Sequence, residues 1–510
     1  MELLGNLIKR GFSMVVKVDN LAKKPLKRQE RALHRLLRKA KDTEFGKTYN
    51  FEEMAFSPTM LDDFRKTVPL FDYDALYEAW WHRLLDGESD ITWAGKVNYF
   101  ALSSGTTGAP SKYIPITKDM LRAIRRASFK TFFALTRHGV EDDLFTKQFL
   151  AVSSSSSLKQ SSNGYYLGDL SGINIRKAPT WLNYMKKPEP EIVKIQDWDK
   201  RIDEIARNAR KWDIATVAGI PSWVQLMIER VMEYHKVDNI HEIWPNLSVF
   251  MHGGIAFEPH RRAFNALMGK PIKYVDTYLA SEGYIAFQAR QETSAMALLL
   301  NNGIFFEFIP FTDENFPDGN YNPNAQSYAI HEVKMGIDYA LVISTCAGAW
   351  RYLIGDTVRF TDLERSEIII TGRTKHFLSV SGEHLSVDNM NQGVSALQHQ
   401  LNLNIREFTV AAVPSGDNYA HRWYIGCDEP ESVDIAQATQ ILEEKLCEIN
   451  DDYATERSAM LQPIQLNMIS NKIFYQYLES IGKIGGQAKM PRVMKKDAFA
   501  NFETFVKNHL

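Results

Sequence analysis

Five consecutive stretches decide the fold: IATVAGI (214–220), PSWVQLMIERVMEY (221–234), LSVFMHGG (247–254), EPHRRAFNALM (258–268) and IKYVDTY (272–278). The first, third and fifth are short apolar runs of strand length, and the two between them carry apolar residues at helical spacing. Pro221 opens the first helical segment, where its missing N–H costs nothing. Strand, helix, strand in series predicts a mostly parallel sheet covered by helices. Upstream, FLAVSSS (149–155) and a helical pattern near 198–211 add another such unit, and the serine-rich SSSSSLKQSSNG (153–164) reads as a flexible loop. Downstream of 327 the pattern changes to short strands without long helices: SYAIHEV (327–333), YALVIST (339–345), VRFTD (358–362) and SEIIITG (366–372) predict an antiparallel region. After Gly372 come REFTVAAVP (406–414), a helix over 433–449 and a closing helical stretch. The expected architecture is therefore α/β. A large N-terminal domain (1–375) combines mostly parallel sheets with an antiparallel region, a hinge falls near 372–376, and a small mobile α/β domain (376–510) follows.

A chain of 510 residues exceeds what one hydrophobic core usually organises, which agrees with two packed units. Hydrophobic residues make up 45% and charged residues 24%, ordinary globular values that exclude disorder and coiled coil. The longest strongly apolar stretch, AMALLL (295–300), is far too short to cross a bilayer. Cys346, Cys427 and Cys447 are widely spaced, which suggests neither a disulfide framework nor a zinc site, and the N-terminus lacks the compact apolar core of a secretory signal. A cytoplasmic protein is expected. With 60 Lys and Arg against 62 Asp and Glu, the chain has no global attraction to nucleic acid or membrane. The first 50 residues are locally basic, with 13 basic and 5 acidic side chains. The Leu33, Leu36 and Leu37 stripe makes the segment 28–41 a helix packed on the body, rather than a loose nucleic-acid-binding arm.

Three segments carry chemistry. In YFALSSGTTGAPSKYIPI (99–116) apolar residues lead into Ser103, Ser104, Gly105, Thr106, Thr107 and Gly108, with Lys112 beyond. Backbone N–H groups freed by glycine, several hydroxyls and a cation suit the phosphates of a nucleotide, although the spacing is not that of a Walker loop. YVDTYLASEGYIAF (274–287) places Glu282 between Ser281 and Gly283, a small-residue setting in which a carboxylate can approach a metal–phosphate group. WRYLIGDTVRFTD (350–362) places Asp356 after Gly355, where it could accept the hydroxyls of a ribose. The second and third segments put polar groups at the ends of apolar strands, where ligands collect in open α/β sheets.

In this order and at these separations, SSGTTG, TYLASEG and YLIGD resemble the three nucleotide motifs of adenylate-forming ligases. The chain is most similar to the auxin-responsive acyl-acid amido synthetases, the Gretchen Hagen family, known from plants as conjugators of jasmonate, indoleacetate and benzoates to amino acids and also present in bacteria. The resemblance runs from ALHRLLRKAKDTEFGKTYNF (32–51) through HGGIAFEP (252–259) to GQAKMPRV (486–493). It implies ATP and Mg²⁺ as cofactors, the 103–108 loop on the ATP phosphates and Glu282 on the metal. Tyr278 and Ser281 would line the nucleotide site, Gly253 and Gly254 would lie against adenine, and Asp356 would bind the ribose. Arg373, in TGRTKHF (371–377), corresponds to a hinge residue that contacts the nucleotide. The sequence departs from the pattern twice: His384, in SGEHLS (381–386), stands at a catalytic position where many relatives carry lysine, and Lys375 lies near the place of an aspartate common in wider adenylate-forming enzymes.

The implied activity is adenylation of a carboxylic acid followed by transfer of the acyl group to an amino acid. Carboxylate and α-phosphate are both anionic, so the metal and a lysine must neutralise the phosphates. Lys489, in QAKMPR beside Gly485 and Gly486, is the candidate. Trp223 is a candidate for the border of the acyl pocket, against the simpler reading of a core tryptophan. The expected partners are small molecules, an acyl acid with an amino acid or coenzyme A, and no nucleic acid or membrane. Alternatives are an acyl-coenzyme A ligase and a non-catalytic nucleotide-binding relative.

Overall fold

The computed structural model describes residues 24–103, 112–152, 156–176, 185–317, 320–374, 378, 383, 385–416, 418–459, 461–483, 489–494 and 496–510. It begins with helix α1 (Pro25–Ala40), whose Leu33, Leu36 and Leu37 are buried and whose last turn carries Arg38 and Lys39, cations that complement the negative end of the helix dipole. The basic segment is thus a packed helix with a solvated charged face.

Strands β1 (Tyr99–Ser103) and β2 (Lys112–Ile116) pair antiparallel, with Ser103 opposite Lys112. Helix α2 (Lys118–Ala134) follows, and β3 (Gln148–Ala151) enters the main sheet. β4 (Lys159–Gln160) and β5 (Tyr166–Gly168) return to the first sheet, giving the order β2-β1-β5-β4. β6 (Lys186–Lys187) is followed by α3 (Trp198–Asn208), β7 (Ile214–Gly219), α4 (Pro221–His235), β8 (Val249–Gly253), α5 (Glu258–Leu267) and β9 (Lys273–Ala280). These strands run parallel, as the opening stretches predict. Beyond β9 lie β10 (Gly283–Phe287), β11 (Met296–Leu298), β12 (Ile304–Pro310), β13 (Asp338–Thr345), β14 (Tyr352–Asp362) and β15 (Glu367–Arg373), paired antiparallel. Parallel and antiparallel runs share one eleven-stranded sheet, β12-β13-β14-β15-β11-β10-β9-β8-β7-β3-β6. Its change of sense falls at the β9–β10 turn.

The strand expected at 327–333 does not form. Only Tyr328 bridges to Phe308, and the rest turns, because the Glu332 carboxylate accepts from the Ala329 N–H at 2.6 Å while the Glu332 N–H donates to the Ala329 carbonyl at 2.9 Å. A local side chain satisfies the backbone that a neighbouring strand would otherwise pair. Gly372 is paired with Thr357 inside the β14–β15 ladder, and the strand continues through Arg373.

A separate three-stranded sheet forms the C-terminal unit. Helix α6 (Val387–Leu401) precedes β16 (Phe408–Ser415), β17 (Asn418–Cys427), α7 (Ile435–Ile449), β18 (Gln462–Ser470), α8 (Asn471–Ser480) and α9 (Lys496–Lys507), with strand order β16-β17-β18. Val410, Trp423 and Ile425 pack with α6 and α7, while Ala411 and Tyr424 pack with α8 and α9. Alternate strand residues thus feed two cores on opposite faces of the sheet.

Candidate active site

The β9–β10 turn carries Ser281 and Glu282. Glu282 is only 8% exposed, and Tyr352 of β14 donates to its Oε1 at 3.4 Å. Burial pushes its pKa up, while the positive charge of Lys112, and to a lesser extent that of Arg373, opposes the shift. Lys112, whose charge acts on Glu282, starts β2 and holds its Nζ 5.1 Å from the centre of the Tyr73 ring. Ser103 ends β1; Ser104, Gly105, Thr106, Thr107 and Gly108 lie outside the described residues, as does His384.

Asp356 follows Gly355, whose φ of +88° suits a residue without a side chain. Arg373 lies directly across the β14–β15 ladder and brings Nε to 2.9 Å from Asp356 Oδ1. Tyr278 Oη donates to Asp356 Oδ2. β9 and β14 are four strand spacings apart in the sheet order, which would put these side chains about 19 Å apart in a flat sheet. The hydrogen bond shows that the sheet curls, bringing its parallel and antiparallel halves together around one site.

The third wall is the end of β8. A Cβ on Gly253 would lie 2.3 Å from the Thr277 carbonyl oxygen, so only glycine allows β8 and β9 to approach so closely. Gly254 has φ +86°, and a Cβ there would stand 2.9 Å from Nζ of Lys489, which reaches over from the C-terminal unit. Burial, and after it the charge of Arg373, lower the Lys489 pKa to about 8 against the opposing charge of Asp356. Lys489, Gly254, Asp356, Arg373, Tyr278 and Glu282 therefore converge, although they come from five segments of sequence.

Sequence reasoning passed over Tyr352 and the pair His252 and Asp276. Tyr352 shares strand parity with Asp356, a signal present in YLIGD. His252 stacks on Phe257 at a 4.3 Å centroid distance, and its Nδ1 is 3.5 Å from Asp276 Oδ1. Burial lowers the imidazole pKa to about 3 and raises that of the carboxyl to about 7, so burial favours the neutral form of each. Trp223 is 5% exposed and packs edge-on against Trp198 at 4.8 Å within the core between α3 and α4. Among the described residues no group of three or more His, Cys, Asp and Glu could hold a metal ion. A single buried carboxylate such as Glu282 nevertheless fits Mg²⁺, which typically takes one or two protein carboxylates and completes its shell with phosphate and water.

The large mixed sheet and the small C-terminal unit define a fold shared with adenylate-forming acyl ligases. The chain matches the solved structure of the GH3.15 acyl acid amido synthetase with a TM-score of 0.78, at 16% identity over 97% of this chain and 96% of that one. A 2-hydroxyisobutyryl-CoA ligase in its postadenylation state, in complex with 2-HIB-AMP, matches with a TM-score of 0.58 at 15% identity, over 94% of this chain and 91% of that one. The model of the GH3 family N-terminal domain matches residues 15–202 and 147–272, that of the central domain 297–371, and that of the C-terminal domain 388–498. The chain belongs to the GH3 family. A jasmonoyl–L-amino acid synthetase, JAR6 of Nicotiana attenuata, is 21% identical over 96% of this chain and 95% of its own. A probable indole-3-acetic acid-amido synthetase, GH3.1 of Arabidopsis thaliana, is 24% identical over 54% of this chain and 49% of its own.

Proposed function

We propose that this protein is an ATP-dependent acyl-acid amido synthetase of the cytoplasm. The observation that carries the reading is Lys489, on a small domain (376–510), placed against Gly254 of a large domain (1–375) and beside Asp356 and Arg373. In the first step an oxygen of the acid's carboxylate attacks the α-phosphorus of ATP, the bond from that phosphorus to the bridging oxygen breaks, and pyrophosphate leaves. In the second, the amine nitrogen of an amino acid attacks the acyl carbon, the bond to AMP breaks, and the amine loses a proton.

The residues divide this work by charge and position. Ser103, Ser104, Gly105, Thr106, Thr107 and Gly108 cradle the phosphates. Glu282 is the residue that would hold Mg²⁺, which when bound neutralises the phosphates and polarises the one under attack. Tyr278, Ser281, Gly253 and Gly254 enclose the nucleotide. Asp356 accepts from the ribose hydroxyls with the lone pairs that Arg373 and Tyr278 leave over. Lys489 meets the charge that grows on departing pyrophosphate. His384, in the segment after the hinge, is a further catalytic residue, and Trp223 backs the acyl pocket. After the first step the small domain turns about the segment following Arg373 and opens the acyl-adenylate to the amine.

A pyrophosphate-release assay with indole-3-acetate, jasmonate and benzoates tests this reading, with single amino acids or coenzyme A as acceptor. Amide formation with an amino acid supports it. Thioester formation with coenzyme A alone, or no pyrophosphate with any acid, overturns it.

A further inference from the structure

Beside the packing of α5 on α6, where Arg262 donates to the Gln398 carbonyl and to Asn402 Oδ1, the contact between the two units includes two adjacent residues of opposite charge, Arg406 and Glu407. Arg406 and Glu407 immediately precede β16 and continue its pairing with β17: the Arg406 N–H donates to the Gly426 carbonyl at 3.3 Å, and the Gly426 N–H donates to the Glu407 carbonyl at 2.7 Å. Arg406 points to the large domain, where its Nη1 donates to Glu229 Oε2 of α4 at 3.0 Å, and the other oxygen of Glu229 is held by Gln225 at 2.9 Å. Glu407 meets the segment that carries Lys489: Arg492 Nη1 donates to its Oε2 at 2.6 Å and to the Phe408 carbonyl at 3.0 Å.

Three further bonds fix that segment. Thr409 Oγ1 donates to the Pro491 carbonyl at 2.7 Å, the Val410 N–H to the Arg492 carbonyl at 2.9 Å, and the Met494 N–H to the Val410 carbonyl at 3.0 Å. Residues 491–494 are thus laid along β16 as a short added strand, three residues from Lys489. Tyr475 of α8 stands among the four charges, with Arg406, Glu229, Glu407 and Arg492 all acting on its hydroxyl, and its ring lies 6.2 Å from that of Trp223.

We propose that Arg406 and Glu407 are positioning residues that couple docking of the small domain on Glu229 to the placement of Lys489 beside Gly254. The inference rests on the activity proposed above and adds residues that touch no substrate. The chain of contacts is continuous: Glu229, Arg406, Glu407, Arg492, then three residues to Lys489. A cross-domain pair that is lost when the domains separate stabilises only the docked arrangement, so its removal lowers the rate of the step performed there and no other.

The test uses the full chain in two ways. Single-turnover kinetics with ATP and indole-3-acetate, or jasmonate where that is the acid turned over, compare Glu229→Gln, Arg406→Gln and the double variant. Each single change should slow acyl-adenylate formation by roughly tenfold and leave transfer from supplied acyl-adenylate within about twofold. The double variant should be no slower than the singles, since both remove one contact. Equal loss in both steps, additive losses or unchanged adenylation would overturn the coupling. Hydrogen exchange without any acid supplies the second readout: in Glu407→Gln the Met494 and Val410 amides should exchange faster while the β17–β18 amides keep their protection, and unchanged exchange at Met494 would overturn the clamp. A parent that releases no pyrophosphate with any acid counts against the proposed activity alone, because the exchange result stands without it.

Discussion

Glu282 would carry its charge where burial opposes charge, with Tyr352 3.4 Å from its Oε1. Its folded pKa lies above the unfolded one, so protonation favours the native state, and that stability is lost as pH rises through the folded value. Near neutral pH Glu282→Gln therefore removes a desolvation cost while keeping shape, and the thermal midpoint should hold or rise. Pyrophosphate release should nevertheless fall by roughly a hundredfold, because in the proposed function the carboxylate holds the metal. Equal release from variant and parent would remove the metal role. Lys489 gives a pH signature of the opposite kind. Its pKa of about 8 means that the free enzyme loses this cation as pH rises through that value. The kcat/KM for ATP reports the free enzyme and should descend there. In Lys489→Arg the guanidinium stays charged, so the residual activity should run flat across the same range. A descent that persists unshifted would belong to another group.

Helix α1 shows what an element gains from one polar side chain. β12 is an edge of the eleven-stranded sheet, and Gln29 lies against it: Nε2 donates to the Leu300 carbonyl at 2.9 Å and to the Ile304 carbonyl at 3.2 Å, and Oε1 accepts from the Phe306 N–H at 2.7 Å. One amide thus pairs three backbone groups at this edge, next to the bridge between Phe308 and Tyr328. Gln29→Ala should cost about 2–4 kcal/mol, because the groups left unpaired are buried. Denaturant unfolding checks this, and a loss near that of an exposed glutamine would show that the edge is satisfied otherwise. The contrast with Leu33, Leu36 and Leu37 explains which parts of the fold were legible. A stripe at helical spacing is local, and so are the alternating strands of 214–278, whereas Gln29 finds partners more than 270 residues away. The 327–333 stretch misled because its apolar content suggested a strand while Glu332 supplied a turn from within. At the site, SSGTTG, TYLASEG and YLIGD each display their chemistry within a few residues. That Tyr278 meets Asp356 depends on how the whole sheet curls, which no short window carries.

On the scale of the whole molecule the question is whether one lysine serves one of two reactions. Lys489 belongs to the small unit, and its segment 491–494 is fixed to β16, so it moves with that unit. Its Nζ is held beside Gly254 only while the units are docked as here. Charge builds on pyrophosphate in the first step and is gone in the second, so an interaction made with that charge lowers the first barrier alone. Lys489→Ala should therefore slow acyl-adenylate formation by roughly a hundredfold or more, while transfer from chemically supplied acyl-adenylate to an amino acid stays near the parent rate. Altering the pivot should do the reverse, slowing passage between steps without removing a cation. The substitution for that purpose must fall after Arg373: Gly372 is paired with Thr357, so proline there would break the β14–β15 ladder and confound motion with folding. Rapid-quench measurement of both steps separates the outcomes. If Lys489→Ala slows transfer as much as adenylation, the lysine serves both reactions from one position, and a small domain that turns between them is no longer required.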